Sequence, residues 1–320
     1  MTTPVDISNL LDPEIAAALA VLDLGFATLS DDTLPQVRRA MAAVPPPVLS
    51  DAVDRCDHVV SSRDPLVVRV HREKDASGAL PCIYWMHGGG LVLGSHVADD
   101  LRFDRWCREL HCAGVSVDYS LAPESCYPVP LEDCYAGLCW VHEHAAELGI
   151  DPDRIGIGGA SAGAGLAAAL ALLARDRGEP AVAFQALIYP MLDDRQTTVS
   201  SQWPDPVWPP QANLYCWDSY LGGLATDAVP GYAAPARAED LAGLPPTFIG
   251  VGALDGFSDE DILYATRLRH AGVPTELHVY PGAPHGYDSL TPNTAIARQA
   301  RTDLNAWLGK RLGHAERVSA

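Results

Sequence analysis

Arg154-Ile155-Gly156-Ile157-Gly158 runs into Gly159-Ala160-Ser161-Ala162-Gly163, and the Ala- and Leu-rich run from Ala164 to Ala174 follows without a charge. The first five residues are short and apolar, as a buried strand is. The last run has the length and composition of a buried helix. Between them lies a turn of small residues carrying one serine. A serine on such a strand-turn-helix junction sits in strained backbone with its hydroxyl clear of the sheet. The helix N-terminus then directs N–H groups and partial positive charge towards whatever that hydroxyl attacks. Taken alone, the stretch admits two readings, a packing turn with an idle serine or a nucleophile turn. Its uncharged length is also close to a membrane span. The glycine-rich turn and the change of periodicity in its middle favour a buried strand followed by a buried helix.

Outward from this centre, apolar strands alternate with helical stretches. The expected strands are Leu66 to His71, Pro81 to Met86, Gly114 to Tyr119, Val182 to Tyr189, Thr247 to Val251 and Thr275 to Tyr280, with β pattern beginning near Val59. The expected helices are Asp99 to His111, Leu131 to Leu148, Asp259 to Ala271 and Thr294 to Leu312. Such alternation predicts an α/β fold with a mostly parallel central sheet and helices on both faces. Two helices precede every strand. One covers Ile15 to Leu24 behind an Asp12 N-cap and Pro13 at the first helical position, and the other covers Thr33 to Val44, ended by Pro45-Pro46-Pro47. Residues 1–50 therefore read as a helical cap on a catalytic domain spanning 51–320. Ile15, Leu19, Leu22 and Phe26 recur at spacings of three and four and form one apolar stripe. The alternation breaks across 193–244, which is rich in Trp and Pro, and this stretch reads as an insertion over the carboxyl edge of the sheet. The stripe is expected to pack over that edge, against Trp208 to Tyr220.

Among 320 residues, 48% are hydrophobic and the net charge is −19, as suits a single large globular chain. That charge argues against nucleic acid and against stable association with anionic membrane, which both require basic patches. Met1 to Asp12 has neither a basic nor an apolar signal-peptide region. The eight cysteines show no C-x-x-C spacing and several fall in apolar runs, so reduced, mostly buried thiols and a cytoplasmic location are expected.

Acyl transfer through serine requires a nucleophile, a base, an acid that orients the base, and oxyanion donors. Ser161 is the candidate nucleophile. His285, one of eleven histidines, stands in Gly282-Ala283-Pro284-His285-Gly286 just after the last strand and is the candidate base. Asp255 follows the strand ending at Val251 and is the candidate acid. It could instead cap the next helix, though Ser258 and Asp259 are better placed for that. Gly89, Gly90 and Ala162 are the candidate oxyanion donors through their backbone N–H groups. His142 and His144 lack the spacing of a helical metal pair and read as solvated.

These residues carry a resemblance. His87-Gly88-Gly89-Gly90, Leu121-Ala122-Pro123-Glu124, Leu131-Glu132-Asp133 and the chain order Ser161, Asp255, His285 are similar to the hormone-sensitive-lipase-like carboxylesterases, the bacterial family IV esterases of the α/β-hydrolase superfamily. The resemblance covers nearly the whole chain. It implies an α/β-hydrolase fold with an N-terminal helical cap and hydrolysis of short to medium acyl esters through a Ser-His-Asp triad. It implies no metal or cofactor, a small-molecule ester as partner, and a homodimer as an expectation. The same triad also suits amide, lactone or carbamate hydrolysis, and related scaffolds without the histidine serve as ligand receptors. The sequence departs from the family pattern at Ala160, often Asp or Thr there, at Ser120, usually Arg, and at Gly256, often Pro. The Ser120 departure removes a structural salt bridge, and none of the three removes a catalytic group.

Overall fold

In a computed structural model, which describes residues 7–22, 25–60 and 65–313, eight strands form one sheet. In chain order these elements are α1 (Pro13–Leu19), α2 (Leu34–Ala42), β1 (Val53–Val59), β2 (Val67–Glu73), β3 (Leu80–Met86), α3 (Asp100–Glu109), β4 (Ala113–Asp118), α4 (Val129–Glu143), α5 (Ala145–Leu148) and β5 (Ile150–Ala160). They continue with α6 (Ala162–Arg177), β6 (Gln185–Ile188), α7 (Pro210–Leu221), β7 (Thr247–Gly252), α8 (Ser258–His270), β8 (Thr275–Tyr280), α9 (Tyr287–Leu290) and α10 (Ala295–Arg311). The strand order is β1-β2-β4-β3-β5-β6-β7-β8. Pairing is antiparallel at β1–β2 and β2–β4 and parallel across the other five contacts.

The expected strand and helix order holds, with the helices α7 and α9 added, the helix expected over Leu131 to Leu148 divided into α4 and α5, and one strand, β1, added. β1 alternates charge along Asp54, Arg55, Asp57 and His58, and only Val53 is buried. An apolar pattern cannot find such a strand. It lies at the sheet edge, where one face of pairing suffices and charge discourages further pairing. β3, β5 and β7 occupy the interior, and the sheet separates two apolar layers. One holds α6 with Ile157, Leu187 and Ile249. The other holds α3 and α10 with Trp85, Phe184 and Phe248. α6 is apolar on every side because it is buried on every side, from Ala162 to Ala174. Its uncharged neighbourhood is thus strand and core helix, and no helix among the described residues is long and apolar enough to cross a membrane.

The N-terminal stripe does not form one surface. Asp12 caps α1 as expected, its Oδ1 accepting from the N–H groups of Glu14 and Ile15 at 2.9 and 3.2 Å. α1 then stops at Leu19, and Leu24, in the expected helix, lies outside the described residues. Ile15 is fully buried in the layer that also contains Tyr280, Ala283 and Tyr287. α1 is fixed to that side by Asp12 N–H donating to Gly282 O at 3.0 Å and Ala295 N–H donating to Glu14 at 2.7 Å. Leu22 is 41% exposed. Phe26 meets the insertion, its ring edge-on to Trp208 at 5.4 Å, Leu19 and Leu22 line a hollow with Pro206 and Val207, and Tyr215 of α7 donates to Asp31 at 3.0 Å. The stripe therefore divides, with Ile15 in the body and Leu19, Leu22 and Phe26 bordering the insertion.

Candidate active site

Ser161 lies between β5 and α6 at φ +55° and ψ −122°, a conformation rare for any residue with a Cβ. Its backbone is held at both ends, since its N–H donates to Ile188 O at 2.9 Å and its carbonyl accepts from Met191 N–H at 3.1 Å. The turn closes because Gly163 has no side chain. A Cβ there would meet the carbonyl oxygens of Met86 and His87 at 2.1 and 2.3 Å. The glycine therefore brings the first turn of α6 against the end of β3, and with it the loop that follows β3.

His285 and Asp255 come from the loops after β8 and β7, neighbouring strands whose carboxyl ends lie side by side. His285 Nε2 is 2.9 Å from Ser161 Oγ, and Nδ1 is 2.8 Å from Asp255 Oδ2. A carboxylate only accepts, so Nδ1 carries the proton and Nε2 is left to accept from the Ser161 hydroxyl. All three side chains are buried. The other oxygen of Asp255 accepts from Phe257 N–H at 2.9 Å. Asp255 is therefore not a helix cap, but neither are the residues expected to cap. α8 begins at Ser258 without a side-chain cap, and Asp259 turns to the Ser200 N–H at 2.9 Å.

The glycine loop lies beside this line. A Cβ on Gly88 would stand 3.4 Å from Ser161 Cβ. Gly90 has φ +61°, and a Cβ there would run into the Trp208 ring at 2.6 Å. The backbone N–H groups of Gly89, Gly90 and Ala162 donate to no acceptor among the described residues. His87 shapes the loop from below. Its Nδ1–H donates to Gly88 O at 2.8 Å, its ring stacks on Tyr119 at 4.2 Å, and burial lowers its pKa so that it stays neutral. Arg38 of α2 clamps the outside, donating to the carbonyls of Val92 and Ala122 at 2.9 and 2.8 Å and forking onto Glu124. The Leu121-Ala122-Pro123-Glu124 segment thus serves as an anchor for the glycine loop. Ser120 meets Asp133 through its backbone N–H at 2.9 Å.

One carboxylate was not legible in the sequence. Asp205 lies in the insertion, fully buried, eighty positions before His285. Its Oδ2 accepts the His285 N–H at 2.9 Å, while Oδ1 accepts from Val207 and Trp208 at 2.7 and 3.0 Å. The only sequence signal is an Asp-Pro step, which favours a turn but not a partner. Burial, with the charge of Asp255, raises the Asp205 pKa to about 6. Around His285 stand Tyr189, Phe257 and Trp208, at ring distances of 4.7, 5.0 and 6.1 Å. Burial alone would depress the His285 pKa. The charge and hydrogen bond of Asp255, with Asp205 and Asp288 beyond, outweigh it and raise that pKa above the ordinary value of 6.5.

Above the site, an apolar hollow of about 670 Å³ lies among Leu19, Phe26, Pro206 and Val207. All eight cysteines are free thiols, and no cluster of metal-ligating side chains occurs among the described residues. His144 is not simply solvated, since it stacks on Trp140 at 4.4 Å.

Residues 83–289 match the family model described as alpha/beta hydrolase fold. The esterase LipI of Mycobacterium tuberculosis is 35% identical over 280 residues, covering 84% of this chain and 86% of that protein. The carboxylesterase NlhH of the same organism is 35% identical over 310 residues, covering 94% and 96%. Among solved structures, a bacterial heroin esterase superposes with a TM-score of 0.86 at 41% identity, covering 95% of this chain and 98% of that one. Esterase LipW from Mycobacterium marinum superposes with a TM-score of 0.81 at 36% identity, covering 95% and 96%.

Proposed function

Since this chain belongs to the alpha/beta hydrolase family, in its hormone-sensitive-lipase-like branch of carboxylic ester hydrolases, we propose that it cleaves short to medium acyl esters through Ser161, His285 and Asp255. The observation that carries this reading is the hydrogen-bonded line from Ser161 through His285 to Asp255, at 2.9 and 2.8 Å. In the first half-reaction Ser161 Oγ attacks the ester carbonyl and its proton passes to His285 Nε2. Asp255 holds the ring in that tautomer and stabilises the imidazolium. The oxyanion takes hydrogen bonds from the N–H groups of Gly89, Gly90 and Ala162, which have no acceptor among the described residues. Collapse expels the alcohol, which leaves with the proton from Nε2. Water, giving its proton to the same nitrogen, then attacks the acyl-enzyme and releases the acid.

The chain-length limit comes from the roof. Trp208 lies over both Gly90 and His285, and Phe26 lies on Trp208, so the acyl group enters a covered space of finite depth. In this reading the second N-terminal segment and the insertion together form the cap, and α1 anchors it to the body.

The test is kinetic. Ser161→Ala is expected to lower kcat for p-nitrophenyl butyrate by about a million-fold with the fold intact. Wild-type enzyme is expected to prefer butyrate to octanoate esters over palmitate esters in kcat/KM. Retained activity in Ser161→Ala removes the nucleophile assignment, and a preference for palmitate removes the covered pocket. Matched ester and anilide substrates then separate esterase from amidase action.

A further inference from the structure

After β6, residues 189–193 leave the carboxyl end of the sheet without regular secondary structure. They lie against two members of the Ser161-His285-Asp255 line. Met191 N–H donates to the Ser161 carbonyl at 3.1 Å. A Cβ on Gly165 would collide with the Met191 carbonyl oxygen, so the segment rests directly on the first turns of α6. The Tyr189 ring stands edge-on to His285 at 4.7 Å. Tyr189 itself has φ +38°, a left-handed conformation that a bulky residue keeps only where its surroundings hold it.

The backbone donors of this segment show what holds it. Tyr189 N–H donates to Gly250 O at 2.7 Å, Pro190 has no N–H, and Met191 serves Ser161. The next two N–H groups, of Leu192 and Asp193, are buried and both donate to Glu260 Oε1, at 3.0 and 3.3 Å. Ala236 of the insertion adds one bond to the Leu192 carbonyl at 3.1 Å. Glu260 stands in the first turn of α8, shortly after Asp255, and is 3% exposed. Its Oε2 is buried without a hydrogen-bond partner among the described residues. Burial, with the charges of Asp193 and Asp255, pushes its carboxyl well above the ordinary glutamate range. What Glu260 supplies here is therefore one acceptor oxygen rather than a charge.

We propose that Glu260 is a positioning residue for the ester hydrolysis: its Oε1 fixes the Leu192 and Asp193 N–H groups, and through Met191 and Tyr189 that anchor keeps the Ser161 turn and the His285 ring in register. One helix, α8, then carries both the loop of Asp255 and the hold on the segment that touches its two partners. Removing the acceptor leaves two buried donors unpaired and frees the segment. A displaced nucleophile or base slows attack rather than weakening substrate binding. The effect on rate rests on the esterase reading, whereas the anchoring of residues 189–193 does not.

The test compares Glu260→Gln, which keeps an acceptor oxygen, with Glu260→Ala and Glu260→Met, which have none. Each full-length variant is measured in three ways. These are steady-state kinetics on p-nitrophenyl butyrate, the rate at which diethyl p-nitrophenyl phosphate modifies Ser161 by mass spectrometry, and amide hydrogen exchange across residues 189–193. Glu260→Gln is expected to stay within about threefold of wild type in kcat and in modification rate, with exchange unchanged. Glu260→Ala and Glu260→Met are expected to lower kcat and the modification rate together by about ten- to a hundredfold, with KM little changed and faster exchange confined to that segment and its contacts. Either of the two suffices if the other does not fold. Wild-type kcat in a folded Ala or Met variant, an equal loss in Glu260→Gln, a change in KM alone, or failure of both Ala and Met variants to fold would each overturn the positioning role. If the wild-type chain neither hydrolyses the ester nor takes up the phosphoryl group, the esterase reading falls, and hydrogen exchange alone decides whether Glu260 anchors the segment.

Discussion

The backbone N–H of His285 donates to the carboxylate of Asp205 across 2.9 Å, so the histidine that meets Asp255 through its ring meets a second acid through its main chain. Asp205 also collects the N–H groups of Val207 and Trp208. It therefore ties the Val207-Trp208 segment of the insertion to the His285 loop. Asp205→Ala leaves three buried donors without an acceptor, at about 1–3 kcal/mol each. Asp205→Asn can keep the Val207 and Trp208 bonds but turns an NH2 group towards the His285 N–H. Both variants are expected to lower kcat by about tenfold or more, because small displacements of the base cost rate steeply. The alanine variant should also melt at lower temperature. Full kcat in Asp205→Asn would show that the loop holds His285 without it.

The acid limb of kcat/KM reports protonation of the base in the free enzyme. His285 must be neutral to accept the serine proton, and the surrounding acids hold its pKa above 6.5. The limb is therefore expected to turn over above the ordinary histidine value, so activity falls as pH drops through that raised pKa. Asp205→Asn removes one of the charges that favour imidazolium and should move the midpoint to lower pH. A midpoint below that of free histidine, or one that does not move in this variant, contradicts the electrostatics described for the site.

Arg38 reaches from α2 to the carbonyls of Val92 and Ala122 and to Glu124. The ion pair itself is largely solvent-exposed, with Glu124 at 63%, and exposed pairs contribute little. The carbonyl contacts matter more, since they hold the loop that begins with Gly88, Gly89 and Gly90. Arg38→Met is expected to cost about 1–3 kcal/mol of stability and to lower kcat more than it raises KM. Glu124→Gln should leave both nearly unchanged. Thermal melts and steady-state kinetics of the two variants separate the carbonyl clamp from the ion pair, and equal effects would show that the pair carries the energy.

Asp261 on α8 is fully buried, and neither carboxylate oxygen finds a hydrogen-bond partner among the described residues. Burial, then the charges of Glu260 and Asp255, raise its pKa well above 3.8. The folded chain thus holds a proton over a range where the unfolded chain has released it. The stability this contributes is full below the unfolded pKa and is lost as pH rises through the folded value. Asp261→Asn removes that slope. Urea unfolding is expected to show the variant gaining stability relative to wild type as pH rises from 4 to 8. A gap independent of pH would mean that Asp261 is ionised in the folded protein.

Ser161, Asp255 and His285 were legible in the sequence because each stands at the end of an apolar strand, and strands are found by local pattern. The parallel order of those strands brings their carboxyl ends to one edge, so three loops far apart in the chain meet. The glycine loop was legible for a related reason, since its backbone needs are written as residue type. β1 was not, because an edge strand buries little and its charges erase the period. The N-terminal stripe was legible in part, because periodicity records which residues avoid water, not which neighbours they find. Ile15 found the α10 side of the sheet and Phe26 found Trp208.

Local chemistry along the chain thus determined the element order, the strand-turn-helix junction around Ser161 and the types of residue that meet there. Tertiary structure alone decided that Asp205 lies behind His285 and that Arg38 grips the glycine loop. Each of these depends on contacts between residues scores of positions apart. Such contacts leave no periodic trace, because burial, hydrogen bonding and charge act through space once the sheet has fixed which loops are neighbours.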